Sequence, residues 1–365
     1  MAILTRDPEK TAEQLAEWLT QRFADRGGAT VGEVGVPPGS GFSGETLLFD
    51  ATWGDGATDR LVVRVAPTVH TVFWDPDFEG QYRVMAALSE HTDVPMPEML
   101  AYEGDERWLG APFSLMRRVD GEAPADRPSY TEAGFVFDAS PDERRRLYDS
   151  GLEAMARVHR SDWRALGLDF LSKPELGEPG VDQMLADVER WWAAISDGTP
   201  NPVIEATFAW LREHRPPSTP PEHVALCWGD ARIGNQLFHD FDCVAVLDWE
   251  MVALGDPLSD LGWWKFVDRH HHEMRGLDRL TGFASYDETV ARWAERVGRT
   301  VDPDLLAFYE IFGGLRFAIV MVRLASLLVE IELIPDAGDM ATNNVITHLL
   351  ARILDLPEPG PLVVY

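Results

Sequence analysis

Apolar positions along the chain change period several times, and each change predicts an element. From about Asp7 to Arg26, Leu15, Trp18, Leu19, Arg22 and Phe23 share one face at helical spacing, which predicts an amphipathic helix. The runs "TLLFDATW" and "RLVVRVA", joined by the turn around Gly54 to Asp59, are β-rich and predict a hairpin. "FEGQYRVMAALSEH" returns to helical spacing, and "GAPFSLMRRVDG" predicts another strand ending in a turn. After Gly121 the pattern is mainly helical, with Leu147, Gly151, Met155 and Val158 on one stripe and "VDQMLADVERWWAAI" forming another. A proline-rich stretch from Arg215 to His223 breaks the helices and leads into the short strands "VALCWGD" and "CVAVLDWE". Helical spacing resumes from about Pro303. These elements predict an α+β, bilobal protein, with a small β-containing N-terminal lobe over residues 1–118 and a larger, mainly helical C-terminal lobe over 119–365.

Composition narrows the function classes. Among the 365 residues, 32 basic against 61 acidic side chains give a formal charge of −29, which repels nucleic acid and anionic lipid. The most apolar late segment is interrupted by Arg316, Arg323 and Glu330, which predicts a buried C-terminal helix and no membrane partner. Cys227 and Cys243 cannot build a disulfide framework, and the first residues lack the pattern of a secretory signal, so the expected location is the cytoplasm.

Candidate chemistry gathers in "ALCWGDARIGNQLF", where Asp230, Arg232 and Asn235 interrupt an apolar run. Buried without partners, such groups would be costly, so something must use them. Asp230 lies five residues before Asn235, and Asp248 lies at the end of the next strand. Phosphoryl transfer needs one carboxylate to accept a hydroxyl proton, plus an amide oxygen and a second carboxylate to hold Mg²⁺ on phosphates, and this set supplies all three. Upstream, Gly39, Gly41 and Gly44 form a G-x-G-x-x-G before a strand, the arrangement that lets backbone N–H groups approach phosphates; no lysine follows in the Walker A position. Strand alternation puts Val62, Arg64 and Ala66 on one face, with Arg64 as the phosphate cation and Val62 placed to pack on an adenine. Glu79 is the expected acid partner of Arg64, with Gln81 also in reach.

"LCWGDARIGNQLF" and "VAVLDWEMVALGDPLSDLGWW", with "LVVRVAP", "GAPFSLMRRVDG" and "LEAMARVHRSDWRALGL", resemble the aminoglycoside phosphotransferase-like family. The resemblance runs from about Gly39 to Trp264. It implies a protein-kinase-like fold that uses Mg²⁺ and ATP or GTP to phosphorylate a hydroxyl of a small molecule, a metabolite before an aminoglycoside-type antibiotic. It implies Asp230 as base, Asn235 and Asp248 as magnesium ligands, Arg64 on phosphate, main-chain groups from Arg117 to Val119 at the adenine, and Asp260 bracing the catalytic loop. The acceptor pocket is expected between that loop and the helical insert around Asp182 to Trp210. Two positions depart from the family pattern. Trp228 stands where relatives have histidine, and Gly44 stands for asparagine in the glycine-rich turn, which keeps Ser43 and Thr46. The alternative reading is therefore an inactive nucleotide- or metabolite-binding module. His270, His271 and His272 are consecutive on a helix and do not converge on one ion; His159, Trp191, Trp192, Trp263 and Trp264 read as structural.

Overall fold

A computed structural model describes residues 6–37, 44–68, 71–73, 77–196 and 198–362. Helix α1 (Pro8–Arg22) starts where Asp7 accepts hydrogen bonds from the Glu9 and Lys10 N–H groups and Pro8 fits the first turn. Its buried face of Leu15, Trp18 and Leu19 lies on an antiparallel sheet ordered β1-β2-β3-β5-β4, with Trp18 edge-on to Phe113 at 4.7 Å. The strands are β1 (Ala29–Val31), β2 (Glu45–Trp53), β3 (Thr58–Val65), β4 (Met99–Glu103) and β5 (Phe113–Arg117). Strands β1 and β4 were not expected from the sequence, where "ATV" is too short for a period and Pro95 and Pro97 come just before "MLAYE".

Alternation in β3 decides which side chains face the C-terminal lobe. Leu61, Val63 and Val65 are buried in the N-terminal core, whereas Val62 packs against the other lobe's core. Helix α2 (Phe78–His91) sends Val84, Met85 and Leu88 into that second core as well. The lobes are therefore held by apolar burial in addition to the connecting chain. That connection is pinned where the Glu122 and Phe238 main chains exchange hydrogen bonds of 2.9 Å.

The C-terminal lobe contains α3 (Phe135–Asp138), α4 (Pro141–Arg160), α5 (Val181–Ile195), α6 (Pro202–Glu213), β6 (Ala225–Cys227), β7 (Gln236–His239), β8 (Asp242–Val246), β9 (Ala253–Gly255), α7 (Leu258–His272), α8 (Tyr286–Val297), α9 (Pro303–Glu330) and α10 (Val345–Ile353). Strand β6 pairs with β9, and β7 pairs with β8 through a turn whose Asp240 and Phe241 have φ of 49° and 66°. This β7–β8 hairpin emerges directly from the polar knot, so its first strand was hidden in the sequence. Helix α9 is long and apolar enough to cross a membrane, yet 56% of its most apolar stretch is buried within the fold. Its Glu310 binds Lys265 and Arg269 of α7, each at 2.7 Å.

Candidate active site

Strand β6 ends at Cys227, and the chain turns through Gly229 before Asp230. Gly229 has φ 95°, and a Cβ there would lie 2.0 Å from the Met251 carbonyl oxygen, so no other residue fits. Beyond the turn, Trp263 Nε1 donates to the Asp230 Oδ1 at 2.9 Å and Arg232 Nε stands 3.3 Å from the same oxygen. Arg232 is itself held by both oxygens of Asp126, at 2.8 and 3.0 Å. Asn235, 6% exposed, donates its amide to the Asp230 carbonyl at 3.1 Å, which leaves its own side-chain oxygen as an acceptor. Its carbonyl accepts from the Leu247 N–H at 2.9 Å, so the residue before Asp248 is tied to the loop.

Asp248 lies just beyond β8 with φ 63°, a left-handed conformation that aspartate tolerates better than most residues. Its Oδ1 is enclosed without a hydrogen-bond donor, and the nearest cation, Arg64, stops at 3.6 Å. The pKa values of the two carboxyls are shifted in opposite directions. Burial is the main cause that raises the Asp230 pKa; the Asp248 charge adds to it, and Arg232 opposes it. Burial also pushes on Asp248, but Arg64 and Arg232 outweigh it and hold that carboxyl below its ordinary value. An ionised carboxylate beside one poised to take a proton is a usual acid–base arrangement.

Departure from the family pattern at Trp228 leaves the loop organised. The indole is fully buried and donates from Nε1 to the Leu247 carbonyl at 2.8 Å, so it joins the Asp230 loop to the segment bearing Asp248. Asp260 accepts the Trp228 and Gly229 N–H groups at 2.6 and 2.9 Å and His159 Nε2 at 2.9 Å. Since Trp293 Nε1 donates to His159 Nδ1 at 2.9 Å, His159 carries its proton on Nε2 and donates it to Asp260. His159 is structural, and Asp260 braces the loop as expected.

On the N-terminal side, Arg64 sits opposite Thr46 and Ser114 in the sheet and reaches across to Glu250 at 3.5 Å as well as to Asp248. The expected partner Glu79 is a correction. It is exposed beside Tyr102, because α2 turns Gly80 and Gln81 toward the interior and residue 79 the other way. Gly44 has φ 128°, and a Cβ there would approach the Val65 carbonyl oxygen to 2.9 Å, so the backbone requires the glycine that replaces asparagine. Gly41 and Ser43 lie outside the described residues. The Arg117 guanidinium turns outward to Asp59 and Glu98, and its N–H is used by the Glu98 carbonyl. Val119 makes no main-chain hydrogen bond among the described residues.

A cavity of about 570 Å³ opens between the start of α2, helix α5 and the segment Glu250–Ala253. Gly229, next to Asp230 in sequence, and Arg316 line it, and Met184, Val188 and Trp191 of the helical insert form one wall. Neither Val62, Arg117 nor Val119 lines it, which separates it from the positions expected to meet adenine. Sequence reasoning missed Trp263, Glu250 and Arg316. Trp263 had a legible signal: it falls one helical turn after Asp260 on α7, so both face the loop.

No His, Cys, Asp or Glu cluster able to hold a metal by itself occurs among the described residues. The oxygen set fits magnesium all the same, since that ion needs only one or two protein carboxylates beside phosphate and water, and the donorless Asp248 Oδ1 and the free Asn235 amide oxygen are hard ligands.

Comparison with known proteins agrees with this architecture. A probable acyl-CoA dehydrogenase of Arabidopsis thaliana is 28% identical over 301 residues, 77% of this chain and 34% of the relative, so the chain spans about a third of that protein's length. The structure of a putative aminoglycoside phosphotransferase from Ralstonia eutropha JMP134 matches with a TM-score of 0.67 at 26% identity, over 94% of this chain and 98% of that one. A thermostable mutant of aminoglycoside phosphotransferase APH(4)-Ia, in complex with AMP-PNP and hygromycin B, shares the fold with a TM-score of 0.57 at 15% identity, over 94% and 98% of the two chains. The APH profile, that of the phosphotransferase enzyme family, matches residues 35–300, and the chain belongs to that family.

Proposed function

We propose that the protein transfers the terminal phosphoryl group of ATP or GTP to a hydroxyl of a small molecule. The observation that carries this reading is the convergence of Asp230, Asn235 and Asp248, with the pKa values of the two carboxyls driven apart. Asp230 takes the acceptor proton as the hydroxyl oxygen bonds to the γ-phosphorus; the bridging P–O bond to the β-phosphate breaks and the nucleoside diphosphate leaves. Asn235 and Asp248 would hold magnesium, whose charge offsets that of the phosphates. Arg64, forked between Asp248 and Glu250, is placed to exchange a carboxylate for a phosphate oxygen. Val62 and the Val119 backbone would receive the base. Most of the rate then comes from positioning and charge neutralisation.

The Trp228 bond to Leu247 supports an active enzyme over a silent module, because the departure from histidine leaves the loop braced. The acceptor panel takes in hygromycin B, held by the APH(4)-Ia structure, and small hydroxyl-bearing metabolites. Diphosphate release is measured across this panel with ATP and GTP. Asp230→Asn should lower turnover with the best acceptor by about 100- to 10,000-fold; an unchanged rate would remove Asp230 from the chemistry.

A further inference from the structure

Arg316 is a charged group in the cavity wall with no ion-pair partner among the described residues. It is 7% exposed, lines the cavity, and donates to the Gly229 carbonyl at 3.1 Å. Its guanidinium lies 5.1 Å from the Trp263 ring and 5.7 Å from the Phe312 ring. Among the described residues no carboxylate forms an ion pair with it, and burial lowers its pKa, with Asp260 and Asp230 opposing from further away. A buried guanidinium without its own anion is costly unless something else supplies the charge.

The carboxylates of the same wall are already engaged. Asp77 accepts the Gly80 N–H at 2.8 Å, Asp187 pairs with Lys173 at 2.9 Å, and Glu250 pairs with Arg64 at 3.5 Å. Two of these three carboxylates, Asp187 and Glu250, already face a cation. Phe170, Leu171, Met184, Val188, Trp191 and Phe312 supply an apolar lining instead.

From this arrangement we infer that the acceptor is a hydroxycarboxylate with an apolar body, its carboxylate seated on Arg316 and its chain along α5. The inference rests on the phosphotransferase reading for the fate of the hydroxyl, but the binding preference stands by itself. It is tested by titration calorimetry on the full chain with straight-chain hydroxycarboxylates of increasing length, the methyl ester of each, and amino alcohols of matching length. Each acid should bind about 10- to 100-fold more tightly than its ester, with amino alcohols weakest and affinity rising with chain length. Arg316→Met should bring the acid down to the level of the ester, and Arg316→Lys should keep part of the preference.

Equal affinity for acid and ester in the unmodified protein, tightest binding by an amino alcohol, or no binding by any of the compounds would overturn the inference even if the Arg316 variants fail to fold. Diphosphate release is followed separately. Acid preference without release with any acceptor contradicts the phosphotransfer reading alone, whereas release without acid preference contradicts this inference alone.

Discussion

Asp230 and Asp248 are the same side chain in two surroundings, and the difference between them underlies the proposed chemistry. Asp230 is buried and meets the negative charge of Asp248, so its protonated form is favoured; Asp248 faces Arg64 and remains ionised. Proton acceptance requires ionised Asp230. The acidic limb of kcat/KM should therefore lie above the pH of an ordinary aspartate, with activity gained as pH rises through the raised pKa. Trp263 donates to the Asp230 carboxylate and favours its ionised form. Trp263→Phe removes that donor and should move the limb to higher pH. A merely structural role for Trp263 would lower the rate at every pH and leave the limb in place. The three polar residues were legible in the sequence because their types and spacing match a known chemical task. Trp263 was overlooked, because a tryptophan beside a second tryptophan reads as packing until the helix phase relative to Asp260 is considered.

At the scale of elements, the Asp230 loop is a turn that cannot stand alone. Asp260 on α7 satisfies two of its N–H groups, and Trp228 carries a further bond to the carbonyl of Leu247. Trp228→Phe keeps most of the buried ring but strands that carbonyl, and should cost about 1–3 kcal/mol of stability in urea denaturation. A loss near zero would mean that the indole N–H does not brace the loop. The alternation of β3 was readable, so the facing of Val62 and Arg64 was too. Glu79 was misplaced because nearness in sequence to the cleft does not fix helix phase; Asp77, Gly80 and Gln81 share the cavity-facing side and residue 79 turns away. The strand after Asn235 escaped notice because its pairing begins where the polar knot ends.

For the whole molecule, the site exists only while two lobes are held together. Arg64 on the sheet meets Glu250 from the C-terminal lobe, Val246 N–H donates to the Pro95 carbonyl at 2.8 Å, and α2 lends its apolar face to the larger core. The two-lobed plan was visible from the change of apolar period after Gly121, whereas the role of α2 in joining the lobes depends on contacts no local pattern encodes. The central claim is that Asn235 and Asp248 hold a magnesium nucleotide over Asp230. Its most direct test is calorimetric titration with ATP, with magnesium and with EDTA, for the unmodified protein and Asp248→Asn. The unmodified protein should bind MgATP more than about tenfold tighter than ATP in EDTA, and Asp248→Asn should lose most of that difference. Identical affinity in all four titrations would contradict the account.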